Sequence, residues 1–210
     1  RTVRTKQSVT EKGKEAITLE PGGQIELSGA PLDNIHETCE ETTNHLRELK
    51  KLGNEFNFIL LGMGVEPNLG LDDFPWMPKQ RYGIMKKYMK KVGTLGHHMM
   101  KRTCTNQVNI DYSSEEDMVE KFRIMLNLEA IATAMFSNSP FDQGKISKYK
   151  SLRSHFWHNT DADRTGLLPF VFEKDFNFEN YANYALNIPM YFINRDNKYI
   201  DMTQYTFKDY

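Results

Sequence analysis

The stretch "RTCTNQVNID", residues 102–111, puts Thr103, Thr105, Gln107, Asn109 and Asp111 on alternate positions. In an extended strand successive side chains point to opposite faces, so these five share one face while Cys104, Val108 and Ile110 lie largely on the other. One face reads as buried and the other as wet or functional. Such a strand needs neighbours. Upstream, Pro21, Gly22 and Gly23 mark a turn, after which Ile25 and Leu27 alternate with Gln24, Glu26 and Ser28, giving a second strand with one polar face. "FNFILLGMG" (56–64) reads as a buried strand and "YKSLRSHFW" (149–157) as a further one. "MYFIN" (190–194) and "KYIDM" (198–202) read as two strands joined by a polar turn at 195–197. Residues 1–20, polar and without period, read as loop or edge.

Helical period appears between these segments. Pro31 opens a helix with Leu32, Ile35, Cys39, Leu46 and Leu49 roughly on one side, and Gly53 is its natural stop. The proline-punctuated loop "VEPNLGLDDFPWMPK" (65–79) leads into a helix from Gln80 to Val92, and its length makes it a suspect for function. Ser113 and Ser114 precede Glu116 and Asp117 at capping-box spacing, and Met118, Phe122, Met125 and Leu126 continue as an apolar stripe read as core. "FENYANYAL" (178–186) is a helix. Strands alternating with helices usually mean a parallel sheet, but the terminal hairpin and the polar-faced strands favour a mixed or antiparallel one. The fold class expected is α+β, with helices on one face of the sheet and the other face open.

At 210 residues, 39% hydrophobic and 26% charged, the chain suits one globular domain or most of one. Formal net charge is −1 and the sequence pI is near 6.7, so no global field recruits nucleic acid and any anion must be met locally. The two cysteines, Cys39 and Cys104, cannot build a disulfide framework, which points to a reducing cytoplasm. No apolar run approaches the roughly 18 residues of a membrane span, so no membrane partner is expected. The first residue is Arg1 rather than methionine, so the natural start is expected to lie upstream.

Glu26 on one strand, with Gln107 and Asn109 on another, could line a hollow where carboxylate and amide oxygens meet a hard cation. Magnesium is held by one or two carboxylates plus substrate phosphates, so a sparse site suits a nucleotide. An ordinary solvent-facing sheet explains the same alternation. Gly62 and Gly64 follow a strand, but no third glycine arrives, so a dinucleotide fingerprint fails. "DADRTG" (161–166) begins like a calcium loop, but Phe172 stands where the bidentate glutamate belongs. His97 and His98 are adjacent and point apart. Arg81 in "KQRY" and Arg153 in "LRSHFW" sit beside aromatics, where a planar fork could grip carboxylate or phosphate; structural ion pairs would explain them equally well.

Eight segments in order, "EPGGQIELSGAP", "MPKQRY", "RTCTNQVNID", "SSEEDM", "NSPF", "RSHFW", "TDADRTGLLPFVFE" and "YALNIPMYF", resemble the plant-type glutamate-cysteine ligases, which some bacteria share. The resemblance runs from about Glu20 to the end. It implies a glutamine synthetase-like fold, a curved and largely antiparallel sheet whose concave face holds Mg2+, ATP and the amino acids. The implied reaction is ATP-dependent joining of the glutamate γ-carboxylate to the cysteine amine, the first step of glutathione synthesis. Arg81 and Arg153 then take the catalytic role of carboxylate or phosphate clamps, and Glu26 that of a magnesium ligand. Thr105, Gln107 and Asn109 line the glutamate and metal region, while Tyr82, Trp157 and Tyr191 surround the cysteine substrate. The implied partners are glutamate, cysteine and ATP, with a homodimer as one compatible assembly.

Members of that family are roughly twice as long and carry an upstream "EHE" strand with further metal carboxylates. Residues 1–210 are therefore expected to be the central part of a single catalytic domain, truncated at both ends. A piece of this kind could be inactive alone, which leaves open a non-catalytic ligand-binding fragment, or a related ligase using another amine. The resemblance also implies a redox-sensitive disulfide for Cys39, with its partner past Tyr210; Met202 stands where the family usually has a cysteine, so redox control is not expected.

Overall fold

The computed structural model describes residues 15–210, and is α+β. The first hairpin pairs β1 (Ala16–Leu19) with β2 (Ile25–Ser28) in antiparallel register, Thr18 opposite Glu26. Its turn is Pro21–Gly23, where Gly23 has φ +90. Residues 16–19, expected as loop or edge, form a paired strand. Gly22 is required for a different reason. A Cβ there would lie 2.3 Å from the carbonyl oxygen of Lys101, so the turn is pressed onto the end of a later helix. Gln24 completes that joint, its Nε2 donating to the carbonyls of Met100 and Thr103, both at 3.1 Å.

Helix α1 (Ile35–Phe56) begins at Asn34, whose side chain accepts from the amides of His36 and Glu37, and ends at Asn57 in the left-handed region. It runs past the stop expected at Gly53, and none of its residues is buried. Helix α2 (Gln80–Val92) has the expected bounds, and short α3 (Gly96–Arg102) follows it. Helix α4 (Glu115–Met135) opens as its serines foretell: the Ser114 hydroxyl accepts from the Asp117 amide, and the Asp117 carboxylate accepts from the Ser113 amide at 2.8 Å. Three acidic residues in its first turn also complement the helix dipole. Two tight pairs follow, β3 (Phe141–Asp142) with β4 (Lys145–Ile146), and, after α5 (Leu152–His158) and α6 (Phe178–Leu186), β5 (Phe192–Arg195) with β6 (Lys198–Asp201). In the last hairpin Asp196 and Asn197 both take positive φ, the left-handed pair that a two-residue turn demands.

Three apolar clusters hold these pieces. Val65, Leu152 and Phe156 form one; Tyr82, Met89 and Met100 form another; Met118, Val171 and Phe176 form the third. Met99 on α3 packs against the first two, so this short helix joins α2 to α5. Phe122 and Leu126 of the α4 stripe pack on the third cluster as expected, but Met125 is 44% exposed and belongs to the surface.

Three strand expectations are corrected. Residues 149–157 are not extended: α5 occupies Leu152–His158, with Ser151 as its cap and Leu152 and Phe156 buried one helical turn apart. Residues 56–61 finish α1 and continue without a ladder, leaving Ile59 86% exposed instead of buried. In 102–111, Arg102 is the last residue of α3, and only Thr103 pairs, in a single antiparallel bridge with Val65. Beyond it Val108 is 76% exposed. Alternation specifies an extended backbone but not the neighbour that must accept its hydrogen bonds, and among the described residues these segments find none past the bridge. Apart from isolated bridges at Val65–Thr103, Ser139–Ser151 and Pro189–Thr206, strand pairing among the described residues is confined to three separate two-stranded ladders.

Candidate functional site

Arg153 shows most plainly what the sequence left open. On α5, its amide donates to the Ser139 hydroxyl at 3.2 Å and its Nε to the carbonyl of Cys104 at 3.0 Å. Its guanidinium lies 5.4 Å from the ring centre of Trp157, one helical turn along. The Nη groups donate to nothing among the described residues, and burial pulls the guanidinium below its ordinary pKa with no carboxylate nearby to offset it. A half-buried fork held by its inner nitrogen and open at its outer ones is shaped to receive a carboxylate or phosphate.

Arg81 is similar. Its Nη2 donates to the Tyr82 hydroxyl at 3.4 Å, and its Cζ lies 5.2 Å from that ring's centre. The hydrogen bond it donates to Tyr82 outweighs burial and holds the guanidinium above its ordinary value. The ion pairs among the described residues are Arg102–Asp142, Lys121–Asp117 and Arg164–Asp161. Neither Arg81 nor Arg153 belongs to one, so the structural ion-pair explanation of these two residues is not the one the described residues support.

Tyr82 is buried at the start of α2, and Tyr191 packs on the same cluster. Tyr191 meets Tyr88 edge-on at 5.3 Å, and its hydroxyl reaches the Asp161 carboxylate at 3.5 Å. Burial pushes its phenol up to about 12; the Arg164 cation opposes this and the Asp161 charge adds to it. The Asp161–Arg164 ion pair beside Tyr191 was not anticipated. Its signal was present in "DADRTG", where the aspartate and arginine stand three apart around a turn.

Thr105, Gln107 and Asn109 are exposed on the segment that leaves the Thr103 bridge. Gln107 Nε2 donates to Asn109 Oδ1 at 3.0 Å, which places this pair on one side, while Thr105 turns its hydroxyl to the Asn106 carbonyl. Glu26 is exposed on β2 and accepts from the Ser28 hydroxyl at 3.0 Å. The Gln24–Thr103 bond brings the roots of the two segments together, but Glu26 makes no hydrogen bond with Gln107 or Asn109. Among the described residues no group of three or more His, Cys, Asp or Glu could hold a metal. Glu26 fits magnesium only as a single carboxylate of the kind that phosphate and water complete. Cys39 and Cys104 are both exposed free thiols.

Behind this region, Arg102 donates to His98 Nδ1 at 3.1 Å, which requires an unprotonated acceptor there. Burial lowers the pKa of His98, and the Arg102 charge adds to the effect. The folded chain therefore binds fewer protons at this site than the unfolded chain, so stability should fall as pH drops from the ordinary histidine value near 6.5 through the lowered one. His98→Gln keeps an acceptor without a titrating ring. Urea midpoints at pH 7.5 and 5.5 should differ less for this variant than for the unaltered chain; an equal difference would assign the pH dependence elsewhere.

Comparison with known proteins gives the family. The family described as Glutamate-cysteine ligase family 2 (GCS2) matches residues 2–209. Glutamate-cysteine ligase A, chloroplastic, of Oryza sativa subsp. japonica is 57% identical over 199 residues, covering 95% of this chain and 40% of that protein. The chloroplastic glutamate-cysteine ligases of Arabidopsis thaliana and Medicago truncatula are each 56% identical over 95% of the chain. The chain thus spans about two-fifths of the length of the curated relatives it matches. Those relatives are named as chloroplastic, which overturns the cytoplasmic location inferred from cysteine usage: free thiols report a reducing environment and not which compartment supplies it. With the family match running over residues 2–209 and relatives this similar, the chain belongs to glutamate-cysteine ligase family 2.

Proposed function

We propose that the full-length protein joins the glutamate γ-carboxylate to the cysteine amine at the expense of ATP, with residues 1–210 forming the central part of its single catalytic domain. The observation that carries this is the Arg153 fork: two outer nitrogens with no partner among the described residues, half-buried over Trp157 and anchored to the segment that carries Thr105, Gln107 and Asn109. A carboxylate is a poor electrophile. Transfer of the ATP γ-phosphoryl group to the glutamate γ-carboxylate gives γ-glutamyl phosphate; the cysteine amine then attacks the acyl carbon, a proton departs, and phosphate leaves. Positioning and neutralisation of charge do most of this work. Arg153 and Arg81 would grip the carboxylate and phosphate oxygens, the Gln107–Asn109 pair would orient glutamate, and Tyr82, Trp157 and Tyr191 would wall the amine substrate. Magnesium, when bound, supplies positive charge to the phosphates, and Glu26 is the described carboxylate suited to hold it.

The glutamine synthetase-like curved sheet is proposed to assemble in the full-length protein, where the open segments 56–61 and 104–111 would find ladder partners. A plastid location follows the relatives' names. The test is phosphate release from ATP by the full-length protein with glutamate present, with and without cysteine. Cysteine-dependent release is expected. Release that other amines support equally would move the assignment to a related carboxylate-amine ligase, and magnesium-ATP binding without turnover to a non-catalytic protein.

A further inference from the structure

Arg164 grips Tyr191 from two directions. Its Cζ lies 4.0 Å from the centre of the Tyr191 ring, and its Nη2 donates to the carbonyl of Pro189, two residues before that tyrosine. Its Nη1 donates to Asp161 Oδ2 at 2.6 Å and reaches the Tyr88 hydroxyl at 3.4 Å. Asp161 is 1% exposed and fixed in turn, its Oδ1 accepting from the Asp163 amide and its own amide donating to the Thr165 hydroxyl. The backbone of Tyr191 is held separately, its carbonyl accepting from the Met202 amide at 3.1 Å. A cation on the ring face, a tyrosine edge at 5.3 Å and a fixed backbone leave the ring one orientation.

We infer that Asp161 and Arg164 are positioning residues that hold Tyr191 as a rigid wall of the amine-substrate pocket, and so set discrimination for cysteine without touching glutamate or ATP. This rests on the ligase proposal above. Tyr191 packs on the cluster of Tyr82, Met89 and Met100, while Arg153 is anchored separately by the Cys104 carbonyl and the Ser139 hydroxyl, so a shift of the Tyr191 ring moves the amine-side wall without moving that fork. A lysine at 164 keeps the charge but cannot stack a plane on the ring while donating to both Asp161 and Pro189.

The experiment is steady-state kinetics of Arg164→Lys and Asp161→Asn in the full-length protein, varying cysteine, glutamate and ATP in turn. The KM for cysteine should rise at least fivefold, with kcat and the KM values for glutamate and ATP within twofold of the unaltered protein. Asp161→Asn serves the same purpose if Arg164→Lys does not fold. Constants for cysteine and glutamate that rise together, a fall in kcat alone, or no change would overturn the inference. If the unaltered protein releases no phosphate in a cysteine-dependent way, it is the ligase proposal that fails first, and the inference falls with it.

Discussion

Arg153→Lys in the full-length protein should lower kcat/KM for glutamate by about 30- to 150-fold, corresponding to about 2–3 kcal/mol of lost charge-assisted bonding. The size follows from geometry. Arg153 spends its Nε on the Cys104 carbonyl, and this leaves two Nη donors without a partner among the described residues in a half-buried position. An ammonium offers a point charge on a flexible stem; if it replaced the Nε bond to Cys104 it would have no fork left, and if it reached outward it would release the backbone that carries Thr105, Gln107 and Asn109. Stacking on Trp157 would be lost in either case. The measurement is glutamate-dependent turnover at saturating ATP and cysteine, with glutamate affinity by calorimetry as the second reading. Unchanged glutamate affinity would remove Arg153 from the site.

Much of the helical architecture could be read from periodicity because the 3.6-residue stripe and its caps are local properties. The bounds of α2 and α6 match their sequence expectations, and the serines before α4 perform the capping their spacing implies. The failures share one cause. A strand depends on hydrogen bonds to another segment, and neither "FNFILLGMG" nor "RTCTNQVNID" states in its own residues where that segment lies. The Val65–Thr103 bridge is the fraction of this pairing that the described residues complete, and Asn138 completes a little more by bonding the backbone at Gly62 and Gly64 with its side-chain amide. The error at "YKSLRSHFW" was different, since Leu152 and Phe156 stand four apart and Ser151 is a cap, all of which signalled a helix.

For the site, aromatic neighbours and family motifs singled out Arg81 and Arg153, but only coordinates distinguish an open fork from an ion pair. Arg102 and Arg164 look no different in sequence, yet both are committed to carboxylates. The expectation that Glu26 meets Gln107 and Asn109 in one hollow has no hydrogen bond behind it in the described residues, and what supports it is the weaker fact that Gln24 ties their strands at Thr103. A long-range joint of this kind cannot be read from either segment alone.

Asp142→Ala should destabilise the chain by about 3 kcal/mol, read as a lowered urea midpoint. The side chain of Arg102 is 0% exposed and pairs with Asp142 at 2.7 Å. Its remaining acceptors are neutral, His98 Nδ1 at 3.1 Å and the Glu66 carbonyl at 3.2 Å, and its Nε has no partner among the described residues. Deleting the carboxylate therefore strands a buried cation over the face of Phe156, 5.7 Å from the ring centre. The low end of the usual range applies because Asp142 is 36% exposed in its side chain, and water can enter where the carboxylate was. A second variant separates the loss of a counter-charge from the loss of packing. In the Asp142→Ala, Arg102→Met double variant no cation remains to be stranded, so it should be more stable than Asp142→Ala alone. A double variant as unstable as the single would place the cost in the Phe141–Ile146 hairpin itself. Because the Arg102 carbonyl accepts from the Glu66 amide beside the Thr103 bridge, loosening Arg102 should also free the segment that carries Gln107 and Asn109, and in the full-length protein glutamate affinity should fall with stability.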